Sequence, residues 1–170
     1  MEENYNEFHY FLKKRYDNFG NEGIMNSKGQ TIAKIKFPLY NSNHIVEIQD
    51  LIGKSTYFID IYREGFLKNY NFQDSSGNKL AKIRNPLLSA NKAYLLINKT
   101  KKKFLAVGKL KKWTYNIISN TNNQIIGSVI ELAPSELNNE IKKQYYCLKL
   151  KNYNEYSIII LGFVICINNL

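Results

Sequence analysis

The sequence predicts a mainly β fold, a closed antiparallel barrel of about 12 strands built from repeated hairpins and enclosing a hydrophobic C-terminal helix. Three observations carry that expectation. A turn motif returns about every 24 residues, the segments after its copies alternate apolar with polar, and the chain ends in an apolar run from Ser157 to Ile167.

The repeat shows when "IMNSKGQTIAKI" (Ile24 to Ile35) is laid over "FQDSSGNKLAKI" (Phe72 to Ile83). Asn26 falls on Asp74, Gly29 on Gly77, and Ala33-Lys34-Ile35 on Ala81-Lys82-Ile83. Midway, "IQDLIGKSTYFI" (Ile48 to Ile59) sets Asp50 and Gly53 at the same places. Two looser copies follow, Leu96 to Lys101 and Ile118 to Asn123, the second arriving two residues early. Each copy has an apolar residue, Asp or Asn two later, and Gly, Lys or Asn three after that. An Asp or Asn there accepts from backbone N–H groups two residues on, and Gly or Asn tolerates the left-handed φ that closes a hairpin turn with a bulge. Lys101 departs from the pattern. A left-handed non-glycine residue costs on the order of 1 kcal/mol, so that turn is expected to differ in type.

The flanking segments have the period of two that a half-buried strand requires. In Thr31 to Phe37, Ala33, Ile35 and Phe37 are apolar while Lys34 and Lys36 can meet water; Lys79 to Arg84 repeats this. Pro38, Pro86 and Pro134 remove ladder donors and are expected to end strands. Five hairpins give about ten strands, and Asn6 to Lys14 with Gln144 to Lys151 bring the total to about 12. So long an antiparallel sheet closes, because closure removes unpaired edges. The interior is then too wide for strand side chains alone. The span 154–167 is the expected filling: Asn154 supplies a cap, Glu155 an acid for the first turn, and the run beyond is apolar on every face. Ala33, Ala81 and Gly127, at equivalent places in three hairpins, are expected to face this helix and give it room.

Length and composition agree with one domain spanning 1–170. A chain of 170 residues with 44% apolar and 14% aromatic residues can bury a large single core. Cys147 and Cys166 have neither C-x-x-C spacing nor a disulfide framework, and read as ordinary buried thiols. The start lacks the basic and apolar regions of a signal peptide, and the C-terminal run is far short of the roughly 20 residues that span a bilayer. A cytoplasmic protein without a transmembrane span is the expectation.

The candidate chemistry is thin. Asp74-Ser75-Ser76-Gly77 lacks the further acidic ligands and twelfth-position Glu of a calcium loop, so turn chemistry outweighs metal. His9 and His44 are isolated on predicted strands and read as structural. No catalytic triad order, zinc-protease motif, nucleotide loop or paired carboxylate emerges, which leaves a non-enzymatic chain with no cofactor. The basic residues say more. A net charge of +10, from 24 Lys+Arg against 14 Asp+Glu, attracts anionic partners. Lys99, Lys101, Lys102, Lys103, Lys109, Lys111 and Lys112, with Trp113, set seven cations around one hairpin. Read as a strand, Lys109 and Lys111 share a face and Lys112 opposes them. The cluster suits anionic lipid or a phosphorylated ligand; it suits nucleic acid as well, with Trp113 stacking on bases. A solvated edge that keeps the protein soluble, or a protein-interaction scaffold with no charged ligand, are the remaining readings.

The order of these parts resembles the Tubby C-terminal-like superfamily. The likeness is closest to its LURP-one-related branch, in "NFGNEGIMNSKGQTIAKIKF" and in the ending "NEYSIIILGFVICINNL". It covers nearly the whole chain, roughly Glu7 to Leu170. The resemblance implies a closed barrel around a central C-terminal helix, a fold that some members use to bind membrane lipid. Phospholipid scramblases share that fold, but their proline-rich N-terminal region and palmitoylation-type cysteine cluster have no counterpart here.

Overall fold

The computed structural model describes residues 7–14, 21–37, 44–84, 91–132 and 145–169. Its strands are β1 (Phe8–Lys13), β2 (Asn21–Met25), β3 (Thr31–Lys36), β4 (His44–Asp50), β5 (Ser55–Glu64) and β6 (Leu67–Asp74). There follow β7 (Lys79–Arg84), β8 (Lys92–Ile97), β9 (Lys103–Lys109), β10 (Thr114–Ser119), β11 (Ile125–Glu131) and β12 (Tyr145–Leu150), then one helix, α1 (Ser157–Asn169). Every strand pairs antiparallel with its sequence neighbours, and β1 closes the ring on β12 over six residue pairs. The barrel is the one the repeat predicts. Pro38, Pro86 and Pro134 lie outside the described residues.

The alternation becomes an inside and an outside. Ile35, Ile48, Ile59, Phe72, Ala81, Ile83, Leu95 and Ile117 are almost wholly buried, while Lys34 and Lys36 face out. Within the ring lies α1, and Ser157 to Cys166 are buried without a break. That continuity is the signature of an enclosed helix: a helix on the outside would show a polar stripe. Burial of so many β-branched and aromatic side chains, each contributing about 1.5–3 kcal/mol, overrides the weak helix propensity of the run.

The helix enters from a tied-down turn. The Asn154 carboxamide oxygen accepts from the Tyr156 N–H at 2.9 Å, and Ser157 Oγ accepts from the Asn154 N–H at 2.8 Å. Glu155 stands in this turn ahead of the helix, not in its first turn as the sequence suggested. At the other end of α1, the Tyr115 hydroxyl donates to Asn168 Oδ1 at 3.2 Å.

Space for the helix is made in part as expected: Ala33 and Ala81 are fully buried, and β7, which carries Ala81, packs against α1, but Gly127 departs from the expectation. A Cβ on Gly127 would meet Lys149 O at 2.6 Å and Leu150 Cδ2 at 2.7 Å, so this glycine admits the neighbouring strand β12 and not the helix. Ala81, Ala93 and Ala106, on three successive strands, are all fully buried, and α1 packs against β6, β7, β8 and β12. The helix meets this wall through its own glycine: a Cβ on Gly162 would stand 2.6 Å from Phe72 Cδ2 and 3.6 Å from Ile48 Cδ1.

Two predictions follow from this interior. Gly162→Ala should destabilise the protein by about 3 kcal/mol or more, because neither the ring nor the enclosed helix can withdraw. Denaturant unfolding of Gly162→Ala with and without Phe72→Leu checks this, and the second change should restore part of the loss. The pH dependence is set by buried phenols. Burial pushes Tyr10, Tyr70 and Tyr115 above the ordinary tyrosine value of about 10. Unfolding frees these groups to ionise, so the unfolded chain holds fewer protons above that pH and stability must fall as pH rises. Urea midpoints between neutral and strongly alkaline pH should be level first and then drop.

Candidate functional site

Five hairpin turns project from one end of the barrel, between β2 and β3, β4 and β5, β6 and β7, β8 and β9, and β10 and β11. They fall into two kinds. In the first, the Asn26 N–H donates to Gln30 O at 2.9 Å and the Gly29 N–H to Asn26 O at 3.0 Å; Asp74, Gly77 and Asn78 repeat this geometry. Gly29 and Gly77 are the left-handed residues, at φ 75° and 83°. Asp74 is spent on its own turn: Oδ1 accepts from the Ser76 and Asn78 N–H groups at 2.9 Å each, and Oδ2 from Asn78 Nδ2. Those hydrogen bonds hold its carboxyl below the usual range. Among the described residues no three His, Cys, Asp or Glu side chains gather as metal ligands.

The second kind is one residue longer. The Ile97 N–H donates to Lys102 O and the Lys101 N–H to Ile97 O, each at 2.9 Å, while Ser119 and Gln124 pair in the same way. Asp50 and Ser55 flank a turn of equal length. The left-handed residues are Lys101 at φ 58°, Asn123 at φ 55° and Lys54 at φ 53°. The Lys101 turn therefore differs in type, as expected, yet the lysine carries the strained conformation all the same. In the 50–55 turn the alignment points to Gly53, whereas Lys54 is the left-handed residue. Gly53 has another purpose, since a Cβ there would press on Asp50 Oδ2 at 2.5 Å.

The predicted basic residues do not form a single patch. Lys99, Lys101, Lys102 and Lys103 lie at the turn end, all exposed. Lys109 ends β9, and Lys111 and Lys112 follow it, roughly 20 Å from the turn end for a strand of that length. Nor do Lys111 and Lys112 continue the strand alternation from Lys109: Leu110–Lys112 is a single 3-10 turn, closed by Trp113 at φ 47°. Trp113 is half-buried, with Lys14 Nζ 4.8 Å from its ring centre and Tyr146 stacked at 6.4 Å. It is not an open platform for a base.

What does gather at the turn end is broader than the lysine run. Among the described residues, Lys28, Lys54, Lys79 and Lys151 join the four already named, making eight lysines against the acids Glu7, Asp50, Asp74 and Glu155. Of these acids Asp50 is buried, accepting from the Ile52 N–H at 3.0 Å and from the Tyr153 hydroxyl at 3.4 Å. Burial first, and then Asp50, raises the Tyr153 phenol. Among the described residues, none of Lys28, Lys54, Lys79, Lys99, Lys101, Lys102 and Lys103 forms an ion pair. At the far end, Lys13 pairs with Glu22 at 2.8 Å and Lys14 with Glu131.

Apolar side chains share this face. Leu51, Ile52, Ile125 and Tyr153 are each 40 to 44% exposed, and all four stand beside the turns. The mouth between the β8–β9 and β10–β11 turns and the start of α1 is a cleft of about 340 Å³, edged by Lys102, Asn122, Asn154 and Tyr156. Lys102 Nζ lies 4.9 Å from the centre of the Tyr156 ring. Leu51 and Ile52 were legible: they fall where the other copies carry Ser27-Lys28, Ser75-Ser76, Lys99-Thr100 and Thr121-Asn122.

His44, which the sequence shows as isolated, is not so in the fold. Its Nδ1 contacts Asp60 and lies 3.0 Å from Gln73 Nε2, which donates to Asp60 Oδ2 at 2.6 Å, and Phe58 stacks on the imidazole at 4.4 Å. Sequence distance hid this group, since its members come from three strands. Cys147 and Cys166 are buried free thiols, as read from the sequence.

Searches against protein-family models, curated proteins and solved structures returned no match to this chain.

The strain at Lys101 is measurable. Lys101→Gly should raise stability by about 0.5–1 kcal/mol, since glycine carries no penalty at positive φ. A higher urea midpoint with unchanged slope is the expected result.

Proposed function

We propose that this chain is a non-enzymatic binding module of the Tubby-like, LURP-one-related kind, and that it docks on anionic membrane lipid through the turn end of its barrel. One observation carries the reading: among the described residues, eight lysines share that end with the exposed side chains of Leu51, Ile52, Ile125 and Tyr153. Each lysine near an acidic surface contributes about 1 kcal/mol, and apolar tips between the lysines can enter the interface. The lysines held left-handed, Lys54 and Lys101, support it further, because strain retained against a cheap glycine alternative is a mark of selection for something other than stability. The site of action in this reading is cytoplasmic and peripheral, on the leaflet that carries anionic lipid. Among the described residues no helix is long and apolar enough to cross a membrane.

Co-sedimentation with vesicles tests the proposal. The protein should bind phosphatidylcholine vesicles doped with phosphatidylserine and not phosphatidylcholine alone. Lys99→Glu, Lys101→Glu and Lys102→Glu together should weaken binding by roughly 100-fold or more, and Leu51→Ser with Ile52→Ser should weaken it without changing its salt dependence. Equal partition onto neutral and acidic vesicles would sink the idea. Tighter binding to single-stranded nucleic acid than to acidic vesicles, with steep loss in salt, would favour the nucleic-acid reading instead.

A further inference from the structure

We infer that a groove on the outer wall of the barrel, across β6 to β9, is a second site that binds a small anion carrying an aromatic ring. Strand pairing builds it. Asn69, Arg84 and Tyr94 stand side by side in one cross-strand row, and Asn71, Lys82, Leu96 and Lys103 in the next. On the outside of the sheet these rows enclose about 450 Å³, lined by Asn69, Lys82, Arg84, Tyr94, Leu96 and Lys103, with Glu64 at one edge. That is the size of a small-molecule site.

The chemistry of the lining sets the ligand class. Three cations converge on the groove, so the ligand bears a negative charge. Asn69 faces outward on its strand and is nevertheless only 2% exposed, and its Nδ2 has no hydrogen-bond partner. Buried amide donors are almost always satisfied. A donor among cations is satisfied by an anionic oxygen. The Tyr94 ring, 44% exposed, flanks Arg84 and offers a flat face, with Leu96 beside it. Phosphate and carboxylate heads meet these requirements alike. Glu64 Oε2 lies 3.5 Å from Arg84 Nη2, a long contact that an incoming anion can displace.

The groove shares Lys103 with the turn end, but Arg84 and Tyr94 take no part in that face, so variants at these two residues test the groove separately. The test is titration of ¹⁵N-labelled protein with phenyl phosphate, benzoate and inorganic phosphate, followed by NMR. Saturable binding of phenyl phosphate or benzoate that moves the Asn69 side-chain amide is expected, and the tighter of the two identifies the head. Inorganic phosphate, lacking the ring, should bind about tenfold more weakly, and Arg84→Gln should cost the better aromatic ligand about tenfold. Glu64→Gln should tighten it two- to threefold by removing a like charge, while Lys101→Glu should leave it unchanged. An unmoved Asn69 amide, inorganic phosphate binding as tightly as the aromatic anions, or indifference to Arg84→Gln would each overturn the inference. Arg84 and Tyr94 are exposed on strands, so Tyr94→Ala should fold and give a second loss of about tenfold.

Discussion

The fold depends on the contact between an enclosed helix and the wall that encloses it. A ring of this many strands leaves more room than its own inward side chains can fill, and α1, apolar on all sides, has no stable place outside the ring. Each is the other's solvent. The fit is close where Gly162 lies against Phe72, and small buried residues, Ala81 and Ala93, stand on β7 and β8, two of the strands that pack against the helix. Because α1 follows all twelve strands in sequence, the ring must hold its shape before its filling is complete, or both must form together. Tight coupling of this kind favours a single cooperative unfolding transition.

Much of this architecture was legible because it rests on local chemistry that repeats. Asn26 and Asp74 recur at one spacing since each must accept the same N–H groups, and Gly29 and Gly77 since each must turn left-handed. What the repeat blurred was length. Turns of two lengths share one motif, so the alignment assigned the left-handed role to Gly53 when it belongs to Lys54. The role of Gly127 was misread for a related reason: a small residue in a strand signals close approach, but sequence does not say from which side. The approach comes from Leu150, more than twenty positions away in the chain.

The candidate sites were less visible because they depend on which residues the ring brings together. A run of lysines suggests a patch, and β9, by passing through it, carries its two halves to opposite ends of the barrel. Meanwhile Lys28, Lys54, Lys79 and Lys151, scattered in the sequence, arrive at one face because every second connection points the same way. Outer-wall residues escape notice for the opposite reason. Lys82 and Arg84 look like the solvated half of an alternating strand, and only the neighbours Asn69 and Tyr94, supplied by other strands, make a groove of them.

The left-handed lysines join the two levels. A turn of this length needs one residue at positive φ, and glycine meets the need without cost. The chain uses glycine where the turn is short, at Gly29 and Gly77, and another residue where it is longer: lysine at Lys54 and Lys101, asparagine at Asn123. Lys54 and Lys101 are both exposed at the turn end. The backbone strain is thus coupled to the placement of charge: relieving it with glycine removes the charge, and restoring the charge restores the strain. Under the proposed docking, stability and attraction for an anionic surface are opposed at the same residue, the form a trade-off between folding and function takes when both act on one dihedral angle.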